Sequence, residues 1–257
     1  MENYWIDTHC HMNDEVYRDD LDSYMQRAWD SNVRKCLVIC MNRPDLEYTF
    51  DMQKKYPWID IAFGYHPEDA TSITEQDLVY LEEIINDPRI IAVGEIGLDY
   101  YWDKTYKDRQ IELFIRQLEI AGRAGKPVLI HSRSAARDTS DILLQHASTK
   151  VLMHCFGESE EMMQVYLKRG YYIAFGGVVT FKNSVTPKKN ASEVPLDRLM
   201  LETDCPYMTP VPLRGKQNET AYVYYVGEYI CQLRGLEEHA LQQQLQENYR
   251  RFFDAEN

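Results

Sequence analysis

The stretch Ile90-Ile91-Ala92-Val93-Gly94-Glu95-Ile96 is followed by a polar connection, a long segment Tyr106–Ala124, then Gly125-Lys126 and Pro127-Val128-Leu129-Ile130-His131. The first run is short, apolar and β-branched, as expected of a strand buried on both faces. Within Tyr106–Ala124, the residues Ile111, Phe114, Ile115, Leu118 and Ala121 fall on one helical face. Gly125 suits a left-handed helix cap, and Pro127 stops the helix as the strand Pro127–Ile130 begins. Strand, helix and strand in this order imply parallel strands joined by a right-handed crossover.

The same alternation runs outward in both directions. Further strands are expected at Trp5–Thr8, Lys35–Cys40, Ile59–Gly64, Lys150–Met153, Tyr171–Val179 and Leu199–Leu201. Helical periods fill Asp19–Ser31, Asp45–Tyr56, the segment after a Thr74/Asp77 capping box, Glu158–Arg169 with Gly170 as its cap, Glu219–Leu233 and Glu237–Phe252. Eight alternations predict an α/β fold, a (β/α)8 TIM barrel, with an open doubly wound sheet as the alternative. Residues 1–257 contain no linker or repeat and read as one domain.

Composition narrows the function. Lys and Arg number 28 against 41 Asp and Glu, for a net charge of -13, which argues against sequence-blind coating of DNA or anionic membranes. No apolar run approaches the ~18 residues of a membrane span. Met1–Asp7 lacks a basic segment leading into an apolar one, so no signal peptide is expected. Six cysteines without regular spacing make no disulfide scaffold. The expectation is a cytoplasmic enzyme with reduced thiols, monomeric and without membrane contact.

Ionisable residues gather at the carboxyl ends of the strands: His9 and His11, His66, Glu95, His131, His154 and Asp204. A barrel places those ends on one rim, where active sites of this fold are built. Alternation aims His9 and His11 inward together and turns Cys10 away, and likewise Cys155. Imidazoles and carboxylates are ligands for Zn²⁺, Mn²⁺ or Mg²⁺. The metal set His9, His11, Glu95, His131, His154 and Asp204 exceeds what one ion needs; two ions about 3.5–4 Å apart, bridged by a carboxylate, account for the excess. Taken singly, His66 is a strand cap, Glu95 a buried ion-pair member, His131 and His154 core histidines, and Asp204 a turn residue. Those separate roles give no reason for all of them to share a rim.

At these positions the chain resembles the TatD family of metal-dependent deoxyribonucleases, a branch of the amidohydrolase-like barrels. The matching strings are Asp7-Thr8-His9-Cys10-His11, Gly64-Tyr65-His66-Pro67, Gly94-Glu95-Ile96-Gly97-Leu98-Asp99-Tyr100-Tyr101, His131-Ser132-Arg133, His154-Cys155-Phe156, Val179-Thr180-Phe181-Lys182-Asn183, Leu201-Glu202-Thr203-Asp204-Cys205-Pro206-Tyr207 and Arg214-Gly215-Lys216. Asn13, Gly157-Glu158 and Thr220 depart from the family pattern. The resemblance implies that His9, His11 and Asp204 hold one ion, His131 and His154 the other, with Glu95 bridging. It also implies DNA as substrate, single-stranded or at its 3′ ends, shortened by 3′-5′ exonuclease action.

Asp204 is the candidate general base, with Glu95 and His66 completing the catalytic set. His66 and Arg133 are candidates for gripping phosphate, as are Lys182 and Arg214. Lys182, Lys188, Lys189, Arg214 and Lys216 lie in segments read as the loops after strands seven and eight; solvated loops are the ordinary alternative. Tyr100, Tyr101 and Trp102 offer stacking surfaces for an unpaired base, and Glu202 a carboxylate that orients a ligand. The rival activity is hydrolysis of acyl or amide bonds, of deacylase or lactonase type, on the same barrel; a binding module that has lost its chemistry would have lost a ligand.

Overall fold

The computed structural model describes residues 3–102 and 104–253; Met1 and Glu2, the start of the segment read for a leader, lie outside them. Eight strands form one parallel sheet: β1 Trp5–Cys10, β2 Val33–Cys40, β3 Ile59–Phe63, β4 Ile90–Asp99, β5 Val128–Arg133, β6 Val151–Met153, β7 Tyr172–Phe175 and β8 Leu199–Leu201. They pair in sequence order from β1 to β8, which excludes the doubly wound alternative. The seam between the first and last strands is closed just past β8. There Asp204 N–H donates to His9 O and His11 N–H to Cys205 O, both at 2.9 Å. The fold is a nearly closed (β/α)8 barrel.

The helices around it are α1 Glu15–Arg18, α2 Leu21–Asp30, α3 Arg43–Lys55, α4 Glu75–Ile84, α5 Lys107–Ala124, α6 Ala136–His146, α7 Glu160–Leu167, α8 Val185–Glu193, α9 Val223–Arg234 and α10 Glu238–Phe253. The Thr74/Asp77 capping box opens α4, and Gly125 caps α5 at φ 65°. None is long and apolar enough to cross a membrane.

Three sequence expectations need correction. The seventh strand stops at Phe175, and Gly177–Thr180 is a 3-10 turn. A Cβ on Gly177 would lie 1.9 Å from Met208 O, so the backbone there packs against the loop after β8 instead of pairing. The segment after it, read as a loop, contains α8, which carries Lys188 and Lys189. Glu219 precedes α9 instead of opening it, because its carboxylate is held by Arg27 at 2.6 Å and a 3-10 turn at Thr220–Tyr222 intervenes.

The register explains which side chains enter the barrel. Ile6 pairs with Lys35, Asp7 with Cys36 and Cys10 with Val38, so β1 spends three steps where β2 spends two. That β-bulge moves His9 to the same inner face as Ile6, and leaves Asp7 and Cys10 facing the helices. In β4 the pairs Val93–Val128 and Ile96–Ile130 show the same excess, which turns Glu95 inward. The lower interior is filled by Ile6, Leu37, Ile39, Ala62, Ala92, Leu129, Leu152, Ala174 and Met200, with Phe252 and Phe253 of α10 against them. Above this layer the inner face becomes polar.

Candidate metal centre

Glu95 stands in the middle of that polar layer and its two oxygens face different imidazoles. Oε2 lies 3.2 Å from His9 Nε2 and 3.9 Å from His11 Nε2. Oε1 lies 2.7 Å from His131 Nδ1, 3.3 Å from His154 Nε2 and 3.7 Å from His66 Nε2. Asp204 Oδ1 joins the first group, 3.8 Å from His9 and 3.6 Å from His11. The imidazoles of His9 and His154 stack with centroids 3.7 Å apart. His9, His11, His131, His154 and His66 therefore converge on the Glu95 carboxylate, with Asp204 against the first two.

Such crowding needs a reason, because like-charged rings repel and buried polar atoms need partners. Both ring nitrogens of His9, Nδ1 of His154 and Oε2 of Glu202 are buried without a hydrogen bond. Triads close enough to share a cation include His9-His11-Glu95, His66-Glu95-His131 and His9-His154-Glu202. Once their protons are displaced, imidazole nitrogens and carboxylate oxygens converging in this way are a donor set for divalent cations, so the residues fit the ions their pattern implies.

The surrounding charges set the protonation. Burial works against ionising Glu95, but His154, His9 and His131 outweigh it and hold the carboxyl well below its usual range. Burial likewise opposes a charged His131, yet Asp99 and Glu95 raise it to about 9. Burial dominates at His66 and pushes it down to about 4. At Asp204, burial is outweighed by His11, His154 and His9, and the carboxyl is lowered.

Sequence reading missed one participant. Asp99 Oδ2 sits 2.9 Å from His131 Nε2, and its backbone is locked to Gln110 by two 2.9 Å hydrogen bonds. Past the β4 bulge, Glu95, Gly97 and Asp99 share the inner face, so alternation from Glu95 was the available signal. Gly97 between them has φ 147°, and a Cβ there would lie 2.0 Å from His131 O; only glycine permits that approach. Glu202, expected to orient a ligand, has Oε1 3.1 Å from His154 Nδ1 while accepting from Cys155 N–H at 2.6 Å.

The cluster floors a cleft of about 1060 Å³ whose walls include Arg133, Ser132, Glu158, Trp102 and Tyr207. Of the expected phosphate-gripping residues, His66 and Arg133 line this cleft; Lys182 and Arg214 do not. Arg214 stacks on Phe181 at 3.7 Å, and Lys189 pairs with Glu160 on the surface. Cys155 is not turned away as alternation suggested. Its φ of 45° breaks the strand pattern and brings Sγ near His154 and Asp204, although burial pushes its thiol up and away from the thiolate a metal needs. Cys10 does face outward, its Sγ 3.4 Å from Leu37 O.

The family departures have local roles. Asn13 donates through Nδ2 to Ile39 O at 3.0 Å and Thr49 Oγ1 at 3.2 Å, which a carboxylate could not do. Thr220 donates to Asp7 Oδ2 at 2.7 Å. Glu158 enters the cleft wall and accepts from Ser132 Oγ at 2.5 Å.

A (β/α)8 barrel with imidazoles and carboxylates converging at its carboxyl-end rim has the architecture of a metal-dependent hydrolase. The chain belongs to the TatD related DNase family, whose sequence profile matches residues 6–254. It is 41% identical over 250 residues to YabD of Bacillus subtilis, described as a metal-dependent hydrolase, covering 96% of this chain and 98% of that one. A mouse relative, TATDN3, named as a candidate deoxyribonuclease, is 29% identical over 90% of this chain and 82% of its own. The crystal structure of YjjV, a TatD homologue from Escherichia coli, superposes with a TM-score of 0.92 at 28% identity over 98% of each chain. This protein is accordingly a metal-dependent hydrolase of the TatD family.

Proposed function

We propose that the protein hydrolyses phosphodiester bonds of DNA, removing nucleotides from a 3′ end, with two divalent ions held around Glu95. The observation that carries the two-ion reading is the division of Glu95: Oε2 toward His9, His11 and the Asp204 side, Oε1 toward His131 and His154. His9, His11 and Asp204 would hold one ion, and His131 and His154 the other. Magnesium, manganese and zinc all suit these donors. Bound there, such ions would lower the pKa of water and draw charge from the phosphoryl oxygens.

The chain's own groups supply the rest. Asp204, ionised and part-exposed at the cleft, accepts the proton of the attacking water. His66, kept neutral by burial, donates a hydrogen bond to a phosphate oxygen or to the leaving group. Arg133 lines the cleft beside the cluster and grips the phosphate through its guanidinium fork. Lys182, exposed with Arg214 on the segments after β7 and β8, would meet a longer substrate beyond the cleft. The mouse relative's name is consistent with DNA as the substrate.

One feature favours the acyl or amide reading: among the described residues, Arg133 is the only Lys or Arg lining the cleft. End-labelled single-stranded DNA, incubated with Mg²⁺, Mn²⁺ or chelator, separates the two. The expected result is a ladder shortening from the 3′ end, abolished by chelator and slowed about 10²- to 10⁴-fold in Asp204→Asn. Intact DNA from protein shown to contain metal would transfer the case to acyl substrates.

A further inference from the structure

We propose that a hollow beside the cleft is a subsite for a single nucleobase, walled by Trp102 and Tyr106; this rests on the DNA reading above and deepens it. The hollow measures about 310 Å³ and shares Glu68, Asp99 and Trp102 with the main cleft. Trp102 therefore stands at the partition between them. Trp102 is 68% exposed and Tyr106 52%. Two large rings offered to water around one hollow are a surface that a planar ligand would cover.

The chemistry of the walls selects the base over the rest of a nucleotide. Pro67 and Ala70, both buried, underlie its floor, while Glu68 and Thr71 bring a carboxylate and a hydroxyl. Among the described residues, no Lys or Arg lines the hollow, and the carboxylates of Glu68 and Asp99 do. The hollow thus offers phosphate no cation to pair with, as Arg133 does in the cleft, whereas an uncharged ring with N–H edges finds stacking faces and acceptors there. Arg133 lines the cleft and not the hollow, and its guanidinium sits 4.0 Å over Tyr101 and 5.3 Å over Trp102. The cation lines the cleft alone, whereas Glu68 and Asp99 line cleft and hollow alike.

The partition is also tied to the metal centre. Asp99 forms part of the hollow's wall and holds His131 at 2.9 Å, while Gln110, another wall residue, clamps the Asp99 backbone. One residue thus separates a base in the hollow from a phosphate at the cluster, so both can belong to one nucleotide or to neighbours.

Binding of dAMP and of 2-deoxyribose 5-phosphate, measured by calorimetry with Mg²⁺ present, tests the subsite on the wild type and on Trp102→Ala/Tyr106→Ala. The wild type is expected to prefer dAMP by between about fivefold and a hundredfold. The double variant should lose that preference while keeping its affinity for the sugar phosphate and its circular dichroism spectrum. Equal affinity for both ligands in the wild type, or a preference that survives in the double variant, would overturn the subsite. The DNA time course keeps the two proposals apart. Cleavage whose rate ratio between a terminal adenine and a terminal abasic residue is the same in both proteins sinks only the subsite. Intact DNA sinks the nuclease reading and leaves the dAMP comparison to decide.

Discussion

Asp7 and Glu95 lie at the bulges of β1 and β4, exposed to 0% and 4%, yet they face opposite sides of the sheet. Asp7 turns toward the helices and accepts from uncharged donors: Thr203 N–H at 2.9 Å, Thr203 Oγ1 at 2.6 Å, Thr220 Oγ1 at 2.7 Å and His9 N–H at 3.3 Å. Burial outweighs those bonds and pushes its carboxyl up to about 7. Glu95 turns into the barrel among imidazoles, and their charge outweighs the same burial, keeping it ionised. Desolvation sets a similar cost for both; the partners decide whether a proton or a cation answers it. Asp7 is a structural tie between β1 and the segment after β8, and Glu95 is a group that needs positive charge nearby.

The largest break in this comparison is expected from Asp7→Asn. The folded carboxyl titrates near 7 and the unfolded one near the ordinary ~3.9, so the native state holds the extra proton between about pH 4 and pH 7. Stability contributed by Asp7 is present below that window and lost as pH rises through it, with a slope of up to about 1.4 kcal/mol per pH unit. Urea unfolding at a series of pH values should show that slope in the wild type and a flatter one in the variant. Parallel profiles would mean that Asp7 is ionised throughout.

Asp99→Asn acts on the Glu95 side. Losing the carboxylate behind His131 should weaken divalent-cation binding about 10- to 100-fold, and the urea midpoint in chelator should fall as well, because the metal-free protein loses the Asp99–His131 pair. Titration calorimetry with Mn²⁺ measures the first quantity, and an unaltered affinity would show that Glu95 alone orients His131. A third carboxylate sharpens the scale. Asp60, toward the opposite end of the barrel, is partly exposed and paired with Lys35 Nζ at 3.0 Å and the Tyr249 hydroxyl at 2.7 Å. Asp60→Ala should cost about 1 kcal/mol in urea unfolding, as screened pairs do, and leave the Mn²⁺ affinity unchanged. A shift in that affinity would couple the two ends of the barrel.

Sequence alone carried the alternation of strands and helices, the parallel barrel and the gathering of five histidines with Glu95 and Asp204 at strand ends. Those follow from periodicity and from the rule that parallel strands share a direction, both of which are local. Glu202 was legible for the same reason, two residues from Asp204 on one face. The bulges were not. A single extra residue in β1 and another in β4 flip the side-chain parity, and only pairing with β2 and β5 reveals where the extra residue falls. Asp99 lay in step with Glu95 past the β4 bulge, whereas Cys155 gained its position through a left-handed backbone that no periodicity announces. The lysines on α8 looked like loop cations because nothing local marks a helix packed against α7 and α9. What tertiary structure decided was which of the barrel-end residues face one another across the axis, because contacts between strands far apart in sequence are fixed by register and closure, not by the order of residues along any one strand.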